Sequence, residues 1–448
     1  MSLHDYKEKC ECAEDHDDLL NFLQTIVDQA CSYKDRYFET HKIQDAINKN
    51  SDIASLINKN VEIFNKHEKL GLKISKAYYN FLKGKLLNVY PTYSQDAELL
   101  LSKAIKLDPK LVDAWNELGE CYCKNDDLVK AKSCFEGALK EKRNKISLRN
   151  LSILIRQENY TTREQKIENI EKGLSFAKEA IQLDPYDGLS WAILGNAYLS
   201  HFFGIQQHPN TLKQCLSAYS QAEKDIVAKS TSDLHYNKGI TFKYQEEYKL
   251  ALESFNEASL YDPTWEQPGE KEKQLLRYLQ EVQDLVTTKG KLKPKKLHQI
   301  LTSIDSKQLG PYGGGSYISS KGEQAKLTEI SYNSMKPGLN EEKVILGKVI
   351  CSVRNEDTVP FTFCSVDKNG SIIVTTVFNL ADGKGVIIGD SVAIPEPFVT
   401  DVNFSYKDNN FSFRMVRVET PVIMVVNSKK LGRNLQAGVQ MSISRKFD

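Results

Sequence analysis

Between residues 97 and 263 apolar side chains recur at three- and four-residue steps, the spacing that gathers them on one face of an α-helix. Within Trp115–Ala138 the stripe is Trp115, Leu118 and Tyr122. Gly119 sits where a second helix has to come close. Asn125-Asp126-Asp127 interrupts the pattern as a turn, and Ala131, Phe135 and Ala138 form a small-large-small face that packs back. One helical pair cannot bury its own apolar face, so the pattern demands neighbours. Trp191, Leu194, Gly195 and Tyr198 repeat the first helix, and Cys215, Tyr219 and Ala222 the second. Seventeen positions separate Tyr198 from Cys215, against nine from Tyr122 to Ala131, so this copy carries eight extra residues within HFFGIQQHPN. Gly239, Phe242, Ala251, Phe255, Ala258 and Pro263 make a third copy. Second helices without a strong first helix follow Ala97, Leu101, Ala104, Pro109 and Gly173, Ala177, Ala180, Pro185. Three copies end alike, in AIKLDP (104–109), AIQLDP (180–185) and ASLYDP (258–263), with the proline stopping the helix.

These are the signature positions of the tetratricopeptide repeat. They predict a solenoid over residues 70–288, closed by a long helix at 266–287 with Leu275, Leu276, Leu279 and Val282 as its stripe. Residues 1–69 read as an N-terminal helical cap over the first repeat, with a stripe from Leu19 to Ala30 and a break at NKNSD (48–52). A basic segment and a Gly-rich linker, LGPYGGGSY (309–317), occupy 289–323. From 324 the period becomes strand-like: 344–350, 361–363, 372–378, 386–395, 411–413 and 422–426 alternate or run apolar, with turns at 368–370 and 408–410. Such a set of short strands suits a small closed barrel, the OB-fold, over 324–430, followed by a tail at 431–448. The fold class is mostly α: a tetratricopeptide-repeat solenoid followed by a small C-terminal β-barrel. Alternation of Phe361 with Phe363 and Phe411 with Phe413 favours a core over a stacking platform for bases.

The formal net charge is +1 over 448 residues, so no global field selects nucleic acid or membrane. No apolar run is long enough to span a bilayer, and MSLHDYKEKCECAEDHDD is too polar for a signal peptide. The nine cysteines read as reduced core thiols of a cytoplasmic or nuclear protein. Cys10-x-Cys12 and Cys121-x-Cys123 lack metal-site spacing, and no catalytic set stands out, so neither an enzyme, a cofactor nor a metal is expected. Two features call for a partner. In ISLRNLSILIR (146–156), Leu148, Leu151 and Ile155 pack, while Arg149 and Arg156 fall off that face and either line the concave groove or meet solvent. KGKLKPKK (289–296) has five lysines and no acid, which suits a solvated linker or a phosphate backbone.

RYFETH (36–41), LLSKAIKLDP (100–109), AWNELGECY (114–122), SWAILGNAYLS (190–200), ESFNEASLYDPTW (253–265), KLKPKKL (291–297), PFTF (360–363), IGDSVAIPEP (388–397) and VRVETP (416–421) together resemble the family of tetratricopeptide repeat protein five, or Strap. The resemblance implies an adaptor that binds the N-terminal Met-Arg-acidic peptide of nascent α- and β-tubulin at the ribosome and recruits an mRNA-decay factor. As an alternative it implies a stress-responsive nuclear co-activator scaffold with a protein- or DNA-binding OB-fold. It assigns Arg156, in Leu154-Ile155-Arg156-Gln157, to the peptide's acidic side chain, and Asp233, before Leu234-His235, to its arginine or amine. The family's glutamate after Trp265 corresponds by strict alignment to Gln267, with Glu266 one residue earlier. Lys293, Lys295 and the adjacent Lys296 correspond to the ribosome-contacting stretch, so ribosomal RNA near the exit tunnel is the implied polyanion. A peptide with one positive and one negative side chain wants one of each in its groove. The positions a dicarboxylate clamp would fill with lysine hold Glu120 and Asn196. A monomer without membrane attachment is expected.

Overall fold

A computed structural model describes residues 16–433 apart from 206, 315–316, 319–321, 358 and 382. Cys10, Cys12 and most of the 431–448 tail lie outside these residues. By contact density the chain forms two compact units. Among the described residues one holds the chain up to Glu247 together with Glu253–Gly269; the other holds Tyr248–Leu252 and residues 270–433.

The first unit opens with α1 (His16–Asp35), a single turn α2 (Tyr37–Thr40), a 3-10 stretch (Ile43–Asn48) and α3 (Lys49–Lys66). The helix break falls at Arg36 and at His41-Lys42; NKNSD itself keeps helical backbone through Asn48 and Lys49. Leu23, Ile26 and Val27 of α1 join Ile57 and Phe64 of α3 in one core with Tyr79, Leu82 and Leu101. The segment also reaches the far end of the unit, where Phe38 meets Tyr261 edge-on at 5.3 Å.

The short α4 (Glu68–Ile74) precedes the stacked pairs: α5 (Lys76–Asn88) with α6 (Gln95–Leu107), α7 (Val112–Lys124) with α8 (Leu128–Glu141), and α9 (Lys145–Gln157) with α10 (Arg163–Leu183). Next come α11 (Gly188–Gly204) with α12 (Pro209–Ala222), the turn α13 (Ile226–Lys229), and α14 (Ser232–Tyr244) with α15 (Tyr248–Tyr261). The eight extra residues are divided: α11 runs 17 residues where α7 runs 13, and the rest form the connection to Pro209. The Asp-Pro corners stop helices through their aspartates as well as their prolines. Asp108, Asp184 and Asp262 leave helical backbone, and their carboxylates accept from Lys110, Tyr186 and Thr264 amides. The freed carbonyls of Pro109 and Pro185 each accept the next indole, from Trp115 and Trp191 Nε1, at 2.8 Å. The signature tryptophan therefore fastens one repeat to the corner before it.

In the second unit the main strands are β1 (Lys343–Val353), β2 (Phe361–Val366), β3 (Ile372–Val377), β4 (Ser391–Pro395), β5 (Phe398–Tyr406) and β6 (Asn409–Val418). β4 pairs β1, β1 pairs β2 and β2 pairs β3, all antiparallel; β3 then pairs β6 in parallel, and β6 pairs β5. Among the described residues the ladder is an open path rather than the closed ring expected, because its ends, Lys429–Lys430 and Gly338–Leu339, are two-residue edges. Phe363, Phe411 and Phe413 are buried, as their alternation predicts, while Phe361 is half-buried against the core that holds Phe363. Three local expectations shift. The turn between β5 and β6 is Lys407-Asp408, one residue early. Residues 386–390 form a turn around Gly389 (φ 98°), closed by the Ile387 amide on Asp390 at 2.9 Å, so only Ser391–Pro395 is strand. The stretch 422–426 divides into a 3-10 turn (Pro421–Ile423) and a two-residue strand.

The Gly-rich stretch is packed at its start: Leu309 and Tyr312 are buried, and the Tyr312 hydroxyl donates to Ile423 O at 2.6 Å. The long helix α16 (Glu266–Thr287) lies, from Glu270, with the sheet. Tyr278 shares a hydrogen bond with Thr362 at 3.0 Å, and buried Glu272 accepts from the Tyr406 hydroxyl at 2.9 Å.

Candidate peptide groove and basic helix

Asn144 caps α9 by accepting the Ser147 amide at 2.8 Å, and Leu148, Leu151, Leu154 and Ile155 bury its apolar face. Its two off-face arginines have separate fates. Arg149 pairs with Asp187 at 3.3 Å, beside Lys145 on Asp184 at 2.7 Å and Asp187 at 3.1 Å. It is a joint between repeats, not a groove residue.

Arg156 turns the other way. Its stem lies on Gly173, where a β-carbon would stand 2.6 Å from Arg156 Cγ. Its Nε donates to Ser152 O at 2.8 Å, and one Nη to Asn196 O at 3.2 Å and Ser200 Oγ at 2.9 Å. All three acceptors are neutral, and among the described residues no carboxylate is within ion-pair range of this guanidinium. Burial pushes it down to about 10, so it is still charged at neutral pH.

A polar track continues from there. Asn196 Oδ1 accepts from the Tyr219 hydroxyl at 2.7 Å and from Asn237 Nδ2 at 3.1 Å. Asp233 stands one turn before Asn237 on α14, on the same helical face, and is exposed. Burial pushes the Tyr219 hydroxyl far up and Cys215 adds to it, while Arg156 pulls it down and Asp233 pushes it up. The positive and the negative charge thus act on one hydroxyl. Trp265 meets Tyr236 at 4.8 Å, which sets the first turn of α16 beside α14 and leaves Glu266 and Gln267 exposed there. Tyr219 and Asn237 had no functional mark in the sequence beyond repeat position; their only signal is polarity on a helix face that faces other helices.

The lysines belong to the other unit. Lys293 is the N-cap of α17 (Pro294–Thr302), with Lys295 and Lys296 in its first turn, all exposed. None of the three has an ion pair among the described residues, whereas Lys291 bridges to Asp284 at 2.7 Å. The seven described cysteines are free, six of them buried. The described residues hold no group able to ligate a metal and no helix long and apolar enough to cross a membrane.

The fold and the groove define a tetratricopeptide-repeat protein carrying an OB domain. The family model for the tetratricopeptide repeat protein 5 OB fold domain matches residues 326–440, and that of the tetratricopeptide repeat matches 100–133. Tetratricopeptide repeat protein 5 of Mus musculus is 44% identical over 425 residues, covering 95% of this chain and 96% of its own. That of Homo sapiens is 45% identical over 420 residues, covering 94% and 95%. The chain belongs to the tetratricopeptide repeat protein 5 family. Solved structures that resemble it include YrrB, a TPR protein with an unusual peptide-binding site (TM-score 0.31, 21% identity, 47% of this chain and 97% of that one). A thermophilic TPR protein of Thermus thermophilus is another (TM-score 0.37, 17% identity, 45% and 98%).

Proposed function

We propose that this protein is a non-enzymatic adaptor that grips the N-terminal Met-Arg-acidic peptide of nascent α- or β-tubulin at the ribosome and promotes decay of the tubulin mRNA. The observation that carries the reading is Arg156: a half-buried, charged guanidinium with neutral partners only. A charge partly withdrawn from water without a counter-charge is costly, and an incoming carboxylate relieves that cost through a bidentate pair. Asp233, acting on the same Tyr219 hydroxyl, supplies the opposite charge for the peptide's arginine or amine. Glu266 or Gln267 lies on the neighbouring helix turn. Lys293, Lys295 and Lys296 crowd the positive end of a helix, which suits ribosomal RNA. The adaptor works as a monomer in cytoplasm and nucleus and recruits a decay factor through another surface.

Titrating a Met-Arg-Glu-Ile peptide tests the groove. Arg156→Glu is expected to weaken binding by about 2–5 kcal/mol, the range for removing one partner of a buried charged pair. Unchanged affinity removes the assignment. A second reading, a nuclear co-activator scaffold, draws support from exposed apolar side chains of the β unit: Ile387, Ile388, and Phe398 opposite Leu339. Its test is loss of co-activator binding, with peptide binding intact, on changing Phe398 to Ser.

A further inference from the structure

The N-terminal helices and the later repeats line an open cavity of about 340 Å³, within the size range of small-molecule sites. Lys34, Asp35, Lys49, Asn50, Ser230 and Thr231 supply its polar lining. Two ammonium groups therefore share it with one carboxylate. Asp35 lies 3.8 Å from Lys34 and offsets part of that charge. Lys49 has no carboxylate in ion-pair range among the described residues; its ammonium lies 5.1 Å from the Phe38 ring centre and 6.0 Å from that of Tyr37. Burial pulls Lys49 down, and Lys34 pulls it further, against the longer-range pull of Asp35 and Asp262. Burial acts on Lys34 too, but Asp35, Glu120 and Glu117 outweigh it and hold that ammonium up. The unmatched positive charge of the lining is therefore that of Lys49, which favours an anionic occupant on that side.

The hydroxyls narrow the class. Ser230 Oγ donates to Ile226 O at 2.7 Å, and Thr231 Oγ1 to Ala228 O at 2.6 Å. Their protons are spent on the backbone, so what they offer a ligand is lone pairs, which take hydrogen bonds from alcohol groups. The side-chain amide of Asn50 donates to phosphate oxygens.

We propose that this cavity binds a phosphorylated polyol, its phosphate between Lys34 and Lys49 and its hydroxyls on Ser230 and Thr231. The ligand ties α3 to the segment that leads into α14, so it holds the N-terminal helices against the later repeats. This site is independent of the peptide groove reading.

Calorimetric titration of the full chain with myo-inositol 1-phosphate, which carries one phosphate and five free hydroxyls, at fixed ionic strength tests it. One saturable site and a rise in Tm are expected, with inorganic phosphate binding more weakly. Lys49→Gln should weaken binding about tenfold or more, and Lys49→Arg, which keeps the charge, should restore most of it. Lys293→Gln with Lys295→Gln should leave binding unchanged. No binding at millimolar ligand, indifference to Lys49→Gln in a variant that melts normally, or loss with the Lys293 and Lys295 changes instead would each overturn the proposal.

Discussion

Arg156 owes its position to the residue beneath it. Gly173→Ala would press a methyl into the arginine stem, 2.6 Å from Cγ and 3.0 Å from Ser152 O. In helix propensity alanine gains about 1 kcal/mol over glycine, and overpacking costs about 1–3 kcal/mol. Stability should therefore fall by only about 0–2 kcal/mol, while the displaced guanidinium loses peptide affinity more steeply. Thermal melts and peptide anisotropy on the same sample separate the two. Residues of this kind are half legible in sequence. Periodicity sets Arg149 and Arg156 off the apolar stripe alike. What distinguishes them is Asp187, which answers Arg149 from the next repeat, and no local pattern reports a partner 38 residues away.

At the scale of elements, the joints carry the fold. Trp191→Phe removes the indole donor to Pro185 O and some of the ring's packing area, so a loss of at least about 1 kcal/mol in urea unfolding is expected. Asp187 does two jobs, capping α11 through the Ser190 amide at 3.1 Å and pairing with Arg149 and Lys145. Burial raises its carboxyl, but the Ser190 hydroxyl, Arg149 and Lys145 outweigh burial and hold it below the usual range. Lys145 holds Asp184 low too. Depressed folded values mean that this stability is complete above the unfolded carboxyl range, about pH 4, and is lost as pH falls through the folded values. Asp187→Asn should flatten that acid limb in urea midpoints taken from neutral pH downward; an unchanged slope would remove the joint from the account. The helical pairs are readable because each repeat restates the same spacing. The strands are readable as a set but not at their ends, since Val386–Ile388 is as apolar as a strand while Gly389 and Asp390 bend it into a turn.

Across the whole molecule the charge is balanced but unevenly spread. Lys295 and Lys296 sit where a helix dipole favours acids. Lys295→Glu should therefore stabilise by about 0.3–1 kcal/mol while releasing the protein from ribosomes, opposite signs that a merely structural lysine would not give. Co-sedimentation in rising salt, beside a melt, reads both. The unit boundary is the least legible feature. The stripe of α16 announces a buried helix, but an apolar stripe does not say whether helices or strands cover it. A fragment beginning at Glu270 should fold cooperatively by circular dichroism, and one beginning at Lys289, which strips Tyr278 and Glu272 from Thr362 and Tyr406, should not.

The clasp of Phe38 on Tyr261 joins residues 223 positions apart. Its consequence is one of timing. As the polypeptide is made, the opening helices emerge first and find their own repeat at once, but their outward aromatics wait for α15. Until that last pair is synthesised the ring of contacts stays open, and every premature stop upstream leaves Phe38 facing water.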